Sequence, residues 1–115
     1  MITKLKYNVI LSDEVGDFLD KLNPKAVRKI LTNIKSVALG YQDKELFKKL
    51  EGTDIWEFRT LYAGISYRLL AFWDTEENAL IITTHGFIKK TNHTPRKEIA
   101  TAERKRQEYF KLKHK

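Results

Sequence analysis

The period of apolar and polar positions changes once along the chain, and that change divides it into two kinds of structure. Tyr7 to Ser12 (YNVILS) is a short run of β-favouring residues, an expected strand. Ser12 then stands where a helix N-cap belongs, with Asp13 and Glu14 in the first turn, where acids are favoured. Val15, Phe18, Leu19 and Leu22 follow at helical spacing as one apolar stripe. Asn23-Pro24 stops that helix and starts the next, Asn23 as cap and Pro24 at the first position. Val27, Ile30, Leu31, Ile34 and Ala38 repeat the stripe, and Gly40 closes it. The expectation is a helical hairpin with both stripes facing one core.

After Gly40 the pattern alternates. Phe47 to Glu51 reads as a short strand. Ile55 to Tyr62 puts Trp56, Phe58 and Tyr62 on one face and Glu57 and Arg59 on the other. Ile65 to Trp73 puts Ile65, Tyr67, Leu69, Ala71 and Trp73 on one face, Ser66 and Arg68 on the other. Ala79 to Thr84 (ALIITT) is a continuous apolar run, expected as a central strand covered on both faces. Thr94-Pro95 is a cap and first position for a last helix of roughly 18 residues. In that helix Ile99, Ala102, Tyr109 and Phe110 can share a face. The expected fold class is α+β: β-α-α-β-β-β-β-α, with helices packed on a small, mainly antiparallel sheet. No repeat, low-complexity tract or linker interrupts it, so residues 1–115 are expected to form a single domain.

The turn Tyr62-Ala63-Gly64-Ile65 sets a register. If Ala63-Gly64 is a two-residue hairpin loop, Tyr62 faces Ile65, Thr60 faces Tyr67, and Arg59 faces Arg68. Like charges directly opposite on a sheet are destabilising. The pair becomes tolerable when an anion bridges it or a carboxylate such as Glu57 sits beside it. Guanidinium forks hold phosphate bidentately and stay charged at any working pH. Two fixed cations at a phosphodiester would stabilise the charge that builds up during cleavage. Surface arginines that only pair with Glu57 and other acids are the plainer alternative.

Composition narrows the partners. The chain is 42% hydrophobic and 11% aromatic, enough to bury a core without staples. It has no cysteine, which excludes disulfides and Cys-based zinc sites and fits a reducing compartment. The N-terminal stretch lacks the apolar length of a secretory signal, and no window approaches the ~20 apolar residues of a membrane span. A cytoplasmic protein is expected. Net charge is +7, yet residues 1–85 carry 12 Lys/Arg and 12 Asp/Glu. Residues 86–115 carry 10 Lys/Arg against 3 Asp/Glu, so the whole excess lies there. Such a segment suits a polyanion or an acidic protein, or is simply a solvated basic helix.

His85-Gly86-Phe87-Ile88-Lys89-Lys90-Thr91 lies between the apolar strand and the last helix, where a loop would carry function. Lys89 and Lys90 could hold an RNA backbone, or one could move a proton if nearby arginines lower its pKa. His85 is a possible acid or base, although for His85 and His93 a hydrogen-bonded structural role is commoner. The histidines are not at ligand spacing, and Asp13, Glu14, Asp17 and Asp20 read as the solvated face of a helix. No metal site or cofactor is expected. There is no Gly-rich phosphate loop, G-x-S-x-G or Cys nucleophile.

Three stretches carry a resemblance. Leu46-Phe47-Lys48-Lys49-Leu50-Glu51-Gly52, followed by Ile55-Trp56-Glu57-Phe58-Arg59, resembles a segment of HigB-like, phage-related toxins. Ser66-Tyr67-Arg68-Leu69 resembles a strand shared across the RelE/ParE toxin superfamily. The run from His85 to Thr91, with Thr94-Pro95-Arg96-Lys97-Glu98-Ile99, resembles the signature before that group's last helix. The resemblance implies a RelE-like fold and the toxin of a type II toxin-antitoxin system. It implies a metal-independent endoribonuclease that cuts mRNA, often on the ribosome, by attack of the RNA's own 2′-hydroxyl on the adjacent phosphate. The family's basic positions fall on Arg59, Arg68 and Lys89 or Lys90, with Arg96 and Lys97 as further RNA contacts. Glu57 stands where RelE-type enzymes can carry a lysine, and the last helix opens without the tyrosine some of them use. The implied partner is a helix-turn-helix (HigA-like) antitoxin, through which the complex binds operator DNA. The same fold also serves ParE-like inhibitors of DNA gyrase, and a non-enzymatic nucleic-acid or antitoxin-binding module is a third reading.

Overall fold

The computed structural model describes residues 4–115. The element order is β1 (Asn8–Ile10), α1 (Asp13–Asp20), α2 (Pro24–Ala38), β2 (Phe47–Lys49), β3 (Trp56–Tyr62), β4 (Ile65–Trp73), β5 (Leu80–Lys89) and α3 (Arg96–Lys113). The strands form one sheet in the order β1-β5-β4-β3-β2, antiparallel except where β1 runs parallel to β5. This is the expected α+β order.

Local chemistry explains most boundaries. The Ser12 hydroxyl accepts from Val15 N–H, capping α1, and donates to the Thr84 carbonyl, which ties the β1–α1 junction to β5. Asn23 accepts from Lys25 N–H, and Pro24 opens α2. Ala63 and Gly64 both have positive φ, 51° and 78°, so the β3–β4 turn twists the way hairpin strands need. Alternation then gives the sheet two apolar faces. Phe58, Tyr67, Leu69 and Ala71 pack with Val15, Leu19, Ile30 and Ile34 of the helical hairpin. Ile55, Leu70, Phe72 and Ile82 pack with Ala102, Ile99, Tyr109 and Phe110 of α3. Burying each large side chain contributes roughly 1.5–3 kcal/mol, so α3 depends on this second face. Asp74, in the β4–β5 turn, fixes the far end of α3 by accepting from Tyr109 Oη and Lys113 Nζ, both at 2.6 Å.

Several expectations are corrected. Leu31 is 42% exposed, while Ala26 and Val37 are buried, because the α2 stripe is rotated by part of a turn from the assumed one. β1 and β2 are each three residues, shorter than the runs that suggested them. β5 continues through the supposed loop to Lys89, pairing with β4 along its length past one irregularity that leaves Thr84 without a strand partner between the Leu70–His85 and Ala71–Thr83 pairs. Thr94 does not cap α3: the helix has no side-chain cap, and the Thr94 hydroxyl donates to Glu57.

Candidate active site

The β3–β4 register is the one the turn implies, with Arg59 opposite Arg68 and Thr60 opposite Tyr67. On the α3 side of the sheet, one row runs Lys48–Glu57–Leu70–His85 across four strands, and the next brings Arg59, Arg68 and Phe87 together. Lys89 pairs with Ser66, two residues along from Arg68 on β4 and therefore on the same face.

Glu57 holds the cluster. Its carboxylate is almost fully buried, and one oxygen, Oε1, lies 3.1 Å from Arg68 Nε and 3.5 Å from Arg59 Nε. Its other oxygen accepts from the Thr94 hydroxyl at 2.5 Å. Neither guanidinium Nε finds a well-aligned acceptor, so both pairs are held by charge rather than hydrogen bonding. The two arginines differ in access. The Arg68 side chain is 8% exposed and donates from Nη1 to the Tyr67 carbonyl, whereas Arg59 is 24% exposed and donates to the Lys44 carbonyl. Burial pulls the Arg68 pKa below its ordinary value, Glu57 opposes that, and Arg59 adds to it.

Arg59 and Glu57 line an open cleft of about 340 Å³, with Lys48, Leu50, Glu51, Lys89, Asn92, His93, Thr94 and Ile99. Burial pushes the Lys89 pKa down, and repulsion from Arg68, Arg59 and Lys48 pushes it further, against the pull of Glu57. The cleft can therefore seat an anion between Arg59, Lys48 and Lys89 and offers an amine that gives up its proton more easily than usual.

The expected site residues divide into three groups. Arg59 and Lys89 line the cleft, and Arg68 lies against its Glu57 wall. Lys90, after β5, and Arg96 and Lys97, in the first turn of α3, are exposed and do not line it. His85 is inside β5, not at a strand end; its Nδ1 is 3.0 Å from the Thr84 hydroxyl and its Nε2 3.5 Å from Glu98, outside the cleft. His93 does line it, and so do Lys48 and Asn92, which the sequence did not single out. Extending the two-strand pairing to β2 would have found Lys48, because it stands opposite Glu57. Asp13, Glu14, Asp17 and Asp20 are exposed on α1. Among the described residues, no three His, Cys, Asp or Glu gather as a metal-binding group.

Helices on both faces of this short sheet, with a cationic cleft at the start of the last helix, define the class as an α+β protein of RelE-like architecture. A family model for phage-derived Gp49-like proteins (DUF891) matches residues 17–107, and the chain belongs to that family. It is a family of RelE/HigB-type toxins, which implies an antitoxin as partner. A search of curated proteins finds no match to the chain. Among the described residues, no helix is long and apolar enough to cross a membrane.

Proposed function

We propose that this protein is a toxin that cuts mRNA without a metal, on the ribosome in the cytoplasm, and is restrained by a helix-turn-helix antitoxin. The supporting observation is the gathering of Arg59, Lys48, Lys89 and His93 around one open cleft, with Arg68 fixed against its wall. The scissile phosphodiester sits against Arg59 and Lys89, with Lys48 on its far side. The ribose 2′-hydroxyl loses its proton and attacks the adjacent phosphorus. The bond to the 5′-oxygen breaks, leaving a 2′,3′-cyclic phosphate and a 5′-hydroxyl once the leaving oxygen takes a proton. Negative charge builds up on the phosphate oxygens in between, and Arg59 stabilises it there.

Lys89, with its pKa lowered by burial and by its cationic neighbours, His93 and Glu51 are the groups in the cleft able to carry those protons. Glu57 is unsuited as the base, since both its oxygens are engaged by Arg59, Arg68 and Thr94. It positions the guanidinium groups instead. Lys90, Arg96 and Lys97 hold phosphates further along the RNA. His85 stands aside from the reaction, braced between Thr84 and Glu98.

The test is induced expression of wild type and Arg59→Ala, followed by primer extension on total mRNA. New 5′ ends should appear with the wild type and disappear in the variant. Intact RNA together with a DNA-damage response would overturn this reading in favour of gyrase inhibition.

A further inference from the structure

Away from the cleft, α2 carries Lys25, Arg28, Lys29 and Lys35 and no acidic residue. Lys25, Arg28, Lys29 and Thr32 line an open groove of about 320 Å³ whose other wall is the half-buried ring of Tyr62, on β3. The groove surface is mostly apolar and its rim is cationic. All three cations are exposed, and none has an ion pair among the described residues. Lys25 stands three and four residues from Arg28 and Lys29, so like charges face each other on successive turns, which destabilises a helix. α3, by contrast, intersperses Glu98, Glu103 and Glu108 among its cations, while α1 carries acids alone. The arrangement on α2 suits an external anion.

We propose that Lys25, Arg28, Lys29 and Tyr62 form a second RNA-binding surface, which takes the phosphates of a single-stranded flank with one base against the Tyr62 ring. The inference rests on the reading of the protein as an RNA-cutting toxin and adds to it a substrate-holding site on the opposite face of the sheet. Three features favour RNA over an acidic peptide. Lys25 and Lys29 are about 6 Å apart along the helix axis, a rise suited to successive phosphates of one strand. A half-buried aromatic that lines a groove beside a cationic rim offers a base a ring to stack on without sequence preference. β3 carries both sites: Arg59 and Tyr62 lie roughly 10 Å apart along it on opposite faces, and an RNA strand passing between them rounds the edge of β3 beyond Phe58, where the β2 pairing ends. At that edge Leu61 is 67% exposed.

The test is fluorescence anisotropy with a labelled 2′-O-methyl 12-mer RNA, which binds but cannot be cut. It compares wild type, Arg59→Ala, Tyr62→Ala and the triple variant Lys25→Ala/Arg28→Ala/Lys29→Ala. The three cations are exposed, so the triple variant keeps the fold, and circular dichroism verifies it. The expected result is about a tenfold loss in the triple variant, with the dependence of log K on log salt becoming shallower by about two. Tyr62→Ala should weaken binding with the salt slope unchanged. Arg59→Ala combined with the triple variant should show both losses added. Equal affinity of wild type and triple variant for RNA would overturn the proposal, as would loss of binding to an acidic protein alone. If the triple variant weakens RNA binding while wild type cuts no RNA, the cleavage reading fails and this surface stands.

Discussion

Arg59 and Arg68 stand directly opposite each other on neighbouring strands and share one carboxylate oxygen of Glu57, at 3.5 and 3.1 Å. Two guanidinium groups across a strand pair repel, and the buried carboxylate makes the pairing stable. The arrangement leaves a net positive charge beside the cleft, so Glu57 offsets the repulsion without cancelling the attraction for an anion.

Removing Glu57 should therefore be costly to the fold. Arg68 is 8% exposed and would keep a charge with no counter-ion beside it. Glu57→Ala should lower unfolding free energy by about 3 kcal/mol, the usual scale for breaking one side of a buried pair. Arg59→Ala, at a more open position, should cost under about 1 kcal/mol, as exposed pairs do, while abolishing cleavage. Urea unfolding followed by tryptophan fluorescence checks both. Equal destabilisation by the two changes would show that Glu57 is not the anchor.

How much of this was legible depended on whether a feature is set locally. Ser12, Asn23-Pro24 and Ala63-Gly64 act through neighbours within a few residues, so the caps and the Arg59–Arg68 register could be read directly. The extension of β5 to Lys89 could not, because it depends on pairing with residues 66–70 of β4, about twenty positions earlier. Thr94 looked like a cap by spacing, yet its hydroxyl is used by Glu57, 37 positions earlier. The place of His93 in the cleft likewise follows from how the segment before α3 folds over the sheet. Alternation shows which face a strand residue takes but not what covers that face.

Lys89 should titrate below the ordinary lysine range, since burial, Arg68, Arg59 and Lys48 all disfavour its charged form. The two neighbouring substitutions should move it in opposite directions. Arg59→Gln removes a repelling cation and should raise the Lys89 pKa; Glu57→Gln removes the attracting carboxylate and should lower it further. Titration of ¹³Cε-labelled lysines by NMR reads both. A Lys89 resonance that ignores both substitutions would remove it from the cluster and from proton transfer.

Asp74 predicts how the fold fails in acid. It is buried, which by itself would raise its pKa, but hydrogen bonds from Lys113, Tyr109 and Glu76 N–H outweigh burial and hold it at about 2, below the usual carboxylate range. A carboxyl whose folded pKa is depressed adds stability that is complete above the unfolded value and disappears as pH falls through the folded one. The contribution of Asp74 is therefore whole above about pH 4 and lost between about pH 4 and 2. Asp74→Asn should destabilise the protein at neutral pH by on the order of 2 kcal/mol, the scale of lost hydrogen bonds to a charged group, and should flatten that part of the acid limb. Thermal melts from pH 2 to 7, with the Tyr109 and Phe110 environment followed by near-ultraviolet circular dichroism, check both.

Gly86 tests the packing beneath the cleft. It sits in β5 opposite Leu69, and a Cβ there would press on the Phe18 ring and lie 2.7 Å from a Leu69 methyl. Leu69 is 1% exposed and enclosed by core neighbours, so it has little room to move aside. Gly86→Ala should cost about 1–3 kcal/mol, the range for overpacking a filled core. Gly16 offers the contrast: an added methyl there meets nothing within 4 Å, and the residue lies inside α1. Gly16→Ala should gain roughly 0.5–1 kcal/mol from helix propensity. Chemical denaturation of both variants separates the two cases by sign. A Gly86→Ala variant as stable as wild type would show that α1 can shift against β5, and the Ser12 link between them would then be the weaker constraint.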